Sequence, residues 1–367
     1  MRNPVLRRLD ITIDQYRRQV RESLAPHRLE FIRSQESWIR RSEPWIQRYF
    51  TSGSDASIEQ VRPTLELVTT KMQHDLWRYC RLMGSIPYNR GCGRLMRYLL
   101  RDSGQPNAPV MGVIALSSPV LINKPRDNWI GWSYPQDVDL KRRLLLTCMD
   151  LTVSMAVPPY QHLLTGKLIC LAVLANEVCQ DYWVKFHNTR TPTGLREGRL
   201  ALISTTSLYG SSVQYNRLRL QGRRAYSCVG YTSGFGNAHV TEAEFAHMEQ
   251  YLRDCGRALP KGWGTGRSYR LRVMTEYHRQ RHNERQAPPH EQARSVYLAP
   301  LASNAREFLR GEVPRVDPYD LPLDVIVEEW KHRWLAPRLQ KPEALARFRD
   351  TDPRAFLLSR ELDTAHT

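Results

Sequence analysis

Lysine is scarce in this sequence. Only 8 of its 367 residues are lysine and 46 are arginine, and basic residues exceed acidic ones by 17. A guanidinium is planar, permanently charged and able to grip phosphate through two parallel hydrogen bonds, whereas lysine is a hydrated point charge. Codon usage in a GC-rich genome accounts for arginine over lysine, but not for the excess over acids. A pI near 9.8 makes nucleic acid, DNA ahead of RNA, the expected acidic partner.

Other absences exclude whole classes. No stretch approaches the ~20 consecutive apolar residues of a membrane helix, and the opening MRNPVLRRLD has no signal-peptide core. A cytoplasmic protein with no membrane partner is expected. The seven cysteines are irregularly spaced and none forms CxxC, so neither a zinc ribbon nor a disulfide framework is signalled. Cys148, Cys170 and Cys179 sit in apolar runs and read as core. The phosphate-loop pattern GxxxxGK[ST] is missing, as is HExxH; His278 and His282 read as a solvated helix face, and no metal is expected. Carboxylates are sparse in the middle: Val153 to Val240 holds only Glu177, Asp181 and Glu197. Two-metal chemistry needs two or three converging carboxylates, so a transposase- or nuclease-like enzyme ranks last.

What is present is a foldable chain. It is 41% hydrophobic with 9 Trp, 17 Tyr and 8 Phe, and its length suits two or three domains. Residues 1–101 carry 19 Lys+Arg against 10 Asp+Glu, whereas residues 311–367 carry 9 against 11. The excess charge therefore lies before the tail. Residues 10–50 show helical spacing, and a further helix is expected from about Ile58 to Leu82, so residues 1–101 read as a basic helical module. Short apolar runs at Val110–Ser118, Trp129–Ser133, Leu151–Val157, Leu200–Ser204 and Tyr226–Tyr231 read as strands, and Leu163–Phe186 as a buried helix. This alternation predicts an α/β (α+β) core with a mixed sheet flanked by helices over 102–260. A basic Gly/Arg-rich extension (261–312) and a proline-rich connector with a helical tail (313–367) follow.

Four segments carry a family resemblance: NKPRDNWIGWS (123–133), YGSSVQYNRL (209–218), GYTSGFGNAH (230–239) and ARSVYLAPLASNAREFLRGE (293–312). Together they resemble the DruA family, named after a component of the Druantia anti-phage defence system. The resemblance runs from Val110 to Glu312, and the double-Trp frame of KPRDNWIGW is its most specific element. It implies a role in antiviral defence beside other proteins of the same operon. The family often has an acidic strand end of the type ETFVD and then an Ala-Ala-Asn-Trp segment; here STTSLYGSSVQYNRL has no carboxylate. The order of elements also resembles GNAT-type acyltransferases. In that fold a strand leads into a helix whose free amides hold the pyrophosphate of acyl-CoA. The matching place here is Met149–Val157 followed by PPYQHLLTGK, with Gln161, Gly166 and Lys167 as cofactor-binding candidates.

Candidate chemistry clusters after the predicted strands. Ser211 or Ser212 can cap a helix, or Ser212 can act beside Tyr215, a general acid or a stacking face. Arg217, Arg219, Arg223 and Arg224 suit phosphate. His239 beside a glycine-rich loop is an acid/base candidate. Asp127 is the nearest carboxylate to replace the missing acid, although Arg126 and Asp127 framed by tryptophans also read as a structural clasp; Arg126 is otherwise a phosphate contact. Trp263, Arg267 and Arg270 interleave basic and aromatic groups, as nucleic-acid binders do. A nucleic-acid-binding protein, a transferase modifying a nucleobase in DNA with acyl-CoA or a related donor, and a metal nuclease thus stand in that order.

Overall fold

A computed structural model describes residues 12–86, 93–133, 135–188, 198–208, 212–232, 240, 242–261, 269–282 and 294–364. A capping box opens α1 (Ile13–Arg33): Thr12 and Gln15 each accept the other's backbone N–H. Tyr16, Val20 and Leu24, four residues apart, put one face of α1 into the core. Helix α2 (Glu36–Ile46) follows and buries Ile39 and Ile46.

The expected helix over 58–82 is two elements. Pro63 begins strand β1 (Pro63–Leu67), where its missing N–H costs no ladder bond, and the Thr70–Gln73 capping box starts α3 (Lys71–Leu82) only afterwards. Strand β2 (Leu95–Asp102) pairs with β1, so residues 63–67 and 95–102 of the basic N-terminal part belong to the sheet. Strand β3 (Val110–Ser117) is buried along its whole length.

The expected strand at Trp129–Ser133 is instead the end of α4 (Lys124–Ile130). Asn123 caps it, accepting from Arg126 N at 3.3 Å, and Gly131 ends it at φ 103°, a conformation that favours glycine. Then come α5 (Val138–Leu144), β4 (Cys148–Ala156), α6 (Thr165–Ala172) and α7 (Asn176–Phe186). The last two divide the expected single helix at the buried residues Val173, Leu174 and Ala175. The chain continues through β5 (Leu202–Ser207), α8 (Val213–Asn216), the short ribbon β6 (Arg219–Leu220) and β7 (Arg223–Arg224), and β8 (Ser227–Tyr231). Next are the helices α9 (Glu242–Asp254) and α10 (Tyr269–His282), then β9 (Ser295–Pro300) and α11 (Ala305–Leu309). The tail adds α12 (Leu323–Trp330), α13 (Ala336–Leu339), α14 (Pro342–Arg349) and α15 (Leu358–Thr364).

Seven strands form one mixed sheet in the order β1-β2-β3-β4-β5-β9-β8. Only β4 and β5 run parallel among the described strands. A core built around Met96, Tyr98, Ile114, Ile169 and Tyr182 lies under α6, α7 and the tail. A second joins Ile39, Trp77, Leu99 and Val113 to Leu358 and Leu362 of α15, and a third joins Ile130, Trp132, Leu202 and Leu298. No helix of the described residues is long and apolar enough to cross a membrane.

Trp330 ties the tail to the core: it is fully buried, and its indole N–H donates to the Leu164 carbonyl at 3.4 Å. Trp330→Ala is expected to lower stability by about 3–5 kcal/mol through the cavity it leaves. Urea unfolding checks this; a midpoint equal to wild type would show that the tail contributes nothing to the core.

Candidate functional site

Strands β4 and β5 pair at three positions, Cys148↔Leu202, Met149↔Ile203 and Asp150↔Ser204. Beyond them the strands part. A cleft of about 790 Å³ occupies the gap, lined by residues 151–156 of β4 and 205–208 from the end of β5. Ser212, Gln214 and Tyr215 of the α8 segment line it too, and Arg28, Arg81, Arg360 and Glu361 form its charged part.

The interior is uncharged and sets hydroxyl, amide and phenol groups among apolar ones such as Val153 and Met155. Tyr215 is buried, its hydroxyl 3.1 Å from Ser154 Oγ and its ring 5.2 and 4.9 Å from the rings of Tyr226 and Tyr297. Burial pushes its phenol well above the ordinary tyrosine range, so it stays protonated, able to donate a hydrogen bond but less acidic than a free tyrosine. Gln214 Nε2 reaches Ser154 Oγ at 3.4 Å, the Gly166 carbonyl at 3.3 Å and Cys170 Sγ at 2.9 Å. Burial also pushes the Cys170 thiol up to about 12, which leaves it protonated and a poor nucleophile. Ser212 caps α8: its Oγ accepts from Gln214 N at 3.2 Å, and its own N–H donates to the Tyr297 hydroxyl at 3.0 Å. The structure thus brings Ser212 and Tyr215 to one cleft, as the serine–tyrosine segment suggested.

Asp127 and Arg126 are not brought there. Arg126 is fully buried; its Nε and Nη2 donate to Asp127 Oδ1 at 3.0 and 2.8 Å, and its remaining bonds go to the carbonyls of Val120 (2.9 Å) and Leu121 (3.1 Å). Lys141 Nζ donates to Asp127 Oδ2 at 2.6 Å. The indole of Trp132 stands 6.0 Å from the Arg126 guanidinium and donates to the Leu309 carbonyl. These groups form an internal clasp, with no guanidinium surface turned to a phosphate.

Gln161 lines the cleft, whereas Gly166 and Lys167 open α6. Lys167 Nζ donates to the Val213 carbonyl at 3.3 Å and stands 5.8 Å from the Trp334 ring; burial holds its ammonium below the ordinary lysine range. Arg217, Arg219 and Arg224 are exposed, and Arg223 stacks 3.4 Å from the Tyr319 ring. Arg270 donates to the Val240 carbonyl and stacks 4.7 Å from Phe245, tying α10 to the start of α9. His239, Trp263 and Arg267 lie outside the described residues. Among the described residues no group of three or more His, Cys, Asp or Glu side chains is placed to hold a metal ion.

One acid went unnoticed. Asp150 ends the paired stretch of β4, directly before the cleft-lining Leu151, and accepts a hydrogen bond from Ser204 Oγ on β5. Burial pushes its carboxyl above the usual carboxylate range, opposed by the Ser204 hydrogen bond and by Arg126. A lone carboxylate inside the apolar run CMDLTVSMA was the available signal.

A family model described as Druantia protein DruA matches residues 14–311. A curated relative, the Druantia protein DruA of Escherichia coli (strain UMEA 4076-1), is 31% identical over 331 residues, covering 88% of this chain and 80% of the relative. No solved structure matches the chain significantly.

Two predictions follow from this geometry. Asp127→Ala leaves Arg126 charged, buried and without its counter-ion, which is expected to cost about 3–5 kcal/mol in urea unfolding. Wild-type stability would return Asp127 to the catalytic candidates. Asp150 holds its proton more tightly folded than unfolded, so its ionisation opposes folding. Its contribution is favourable at acid pH and is lost as pH rises from the ordinary carboxylate range through the raised folded value. Asp150→Asn should therefore melt higher than wild type at pH 7.5, with the gap closing near pH 4; a pH-independent offset would contradict this.

Proposed function

This chain belongs to the DruA family, and from that membership we propose that it acts in Druantia-type anti-phage defence as a nucleic-acid-binding protein whose ligand enters the cleft between β4 and β5. The observation that carries the reading is the division of labour in that cleft. Arg28, Arg81 and Arg360 stand against one acid, Glu361, while hydroxyl, amide and phenol groups line the interior. Phosphate contacts position a nucleic acid without reading it, and hydrogen bonds or stacking inside a pocket address a base. The exposed Arg217, Arg219 and Arg224 extend positive charge directly after the cleft-lining α8. Other proteins of the same defence system are its expected partners.

A transferase reading rests on the same cleft. Tyr215, with Ser154 beside it, can hydrogen-bond a departing group, and the parallel β4 leads through residues 157–164 into α6 as in acyltransferases. The residues present do not fit acyl-CoA as the donor. The one cation at the start of α6, Lys167, is drawn off to the Val213 carbonyl and the Trp334 ring, so it is not turned to a pyrophosphate there.

Binding to a labelled single-stranded DNA should weaken with salt by roughly 0.7 log–log slope unit per phosphate contact. Arg217→Gln, Arg219→Gln and Arg224→Gln together should lower the slope by about two. Salt-independent affinity would defeat the nucleic-acid reading. For the transferase reading, mass spectrometry of nucleosides from expressing cells should show a mass gain that is lost in Tyr215→Phe and Ser212→Ala.

A further inference from the structure

Arg28 is shaped to hold an anion by contacts that are not themselves anionic ligands. Its Nε donates to the Gly84 carbonyl at 2.7 Å and its Nη2 to the Leu82 carbonyl at 3.1 Å. Both carbonyls lie at the C-terminal end of α3, where backbone dipoles favour a cation. They fix the plane of the guanidinium inside the cleft. Its outer edge then meets Glu361 of α15, with Nη2 to Oε2 at 2.9 Å and Nη1 bonded to Oε1. This two-pronged geometry serves a phosphate as well as a carboxylate. Glu361 is also the one carboxylate among the described residues lining the cleft, and it comes from a helix beyond the end of the family match at residue 311.

We propose that Arg28 is a phosphate seat of the cleft and that Glu361 fills it as a built-in competitor, so that a nucleic acid enters by exchanging its phosphate for this carboxylate. The inference rests on the nucleic-acid reading above. The exchange needs no unfolding of the tail. Leu358 and Leu362 are fully buried, the Leu358 N–H donates to Tyr79 Oη at 3.1 Å, and the Ser359 N–H donates to Glu43 Oε2 at 3.1 Å. Tyr79 and the Ser359 hydroxyl also donate to Glu43, closing a network that carries α15 independently of Glu361. The Glu361 side chain is 38% exposed and that of Arg28 18%, so water and ligand can reach the pair. The competitor sets a threshold. One phosphate gains little over the resident carboxylate, whereas a strand that also meets Arg81 and Arg360 gains from several contacts at once.

The test uses the full chain, a fluorescent 20-nucleotide single-stranded DNA of mixed sequence, and anisotropy at one fixed salt concentration. Glu361→Gln keeps the size of the side chain and removes its charge; it is expected to bind at least about five-fold tighter than wild type. Arg28→Gln should bind more weakly than wild type, and the double variant should match Arg28→Gln alone. A Glu361→Gln affinity equal to wild type, or a gain that persists in the double variant, overturns the seat and leaves the nucleic-acid reading standing. No salt-dependent binding by any variant overturns both. Hydrogen exchange of residues 358–364 separates exchange from unravelling. Near-wild-type protection in Glu361→Gln supports the proposal, and loss of protection throughout α15 overturns it.

Discussion

Parallel neighbours in a sheet must be joined by a crossover, and here that demand falls on one strand pair. Strands β4 and β5 are bridged by α6 and α7, which bury Leu168, Ile169, Val178 and Tyr182 against the sheet. Close packing of α6 fixes Gly112 on β3, since a Cβ there would come within 2.3 Å of Ile169. The pair holds for three residues and then opens. Backbone groups that would have formed the next rungs need other acceptors and donors. Thr205 supplies one, its hydroxyl donating to the Leu151 carbonyl at 2.8 Å. The cleft, its polar lining and its placement beside α8 all derive from this early end of pairing.

The same structure changes the meaning of the arginine count. Several guanidiniums act as internal fasteners for carbonyls rather than as surface charge. Arg126 closes the Asp127 clasp, Arg101 donates to the carbonyls of Ala108 and Asn107 at 2.7 and 2.9 Å, and Arg94 donates to the Leu145 carbonyl at 3.1 Å as well as to Tyr182. Five donors in a rigid plane suit this work better than an ammonium does. The excess charge is therefore not one uniform surface. Its solvent-facing share near the cleft is Arg217, Arg219, Arg224 and Arg360, with Arg28 and Arg81 more enclosed.

How far the fold could be read from sequence depended on the range of the interactions involved. VMGVIALSS announced β3 because a strand covered on both faces is continuously apolar, and Leu151–Val157 announced the second half of β4, which is only partly buried. KPRDNWIGW misled because its tryptophans look like a strand, while the Asn123 cap and Gly131 that make it a helix are single-residue signals. The PTLEL strand was hidden by the helical pattern on both sides of it. That the serine–tyrosine segment follows a strand with a capped helix was legible because strand, cap and helix are local. Asp150 was not, since its partner Ser204 lies 54 residues away, and the Arg28–Glu361 pair spans 333 residues.

Tyr215 in the cleft and Cys170 behind it, against Gln214, are both un-ionised at physiological pH, and their shifts carry the phenol and the thiol still further from ionisation. Burial is the main cause in both, and it also strengthens any hydrogen bond formed there. Charge is confined to Arg28, Arg81, Arg360 and Glu361. A ligand with a charged backbone and a neutral, hydrogen-bonding flat group matches that separation part by part, whereas a compact anion matches only the arginines, where Glu361 already stands. On the nucleic-acid reading proposed above, selectivity for an extended polyanion over free phosphate follows from where the chain places its ionised and un-ionised groups.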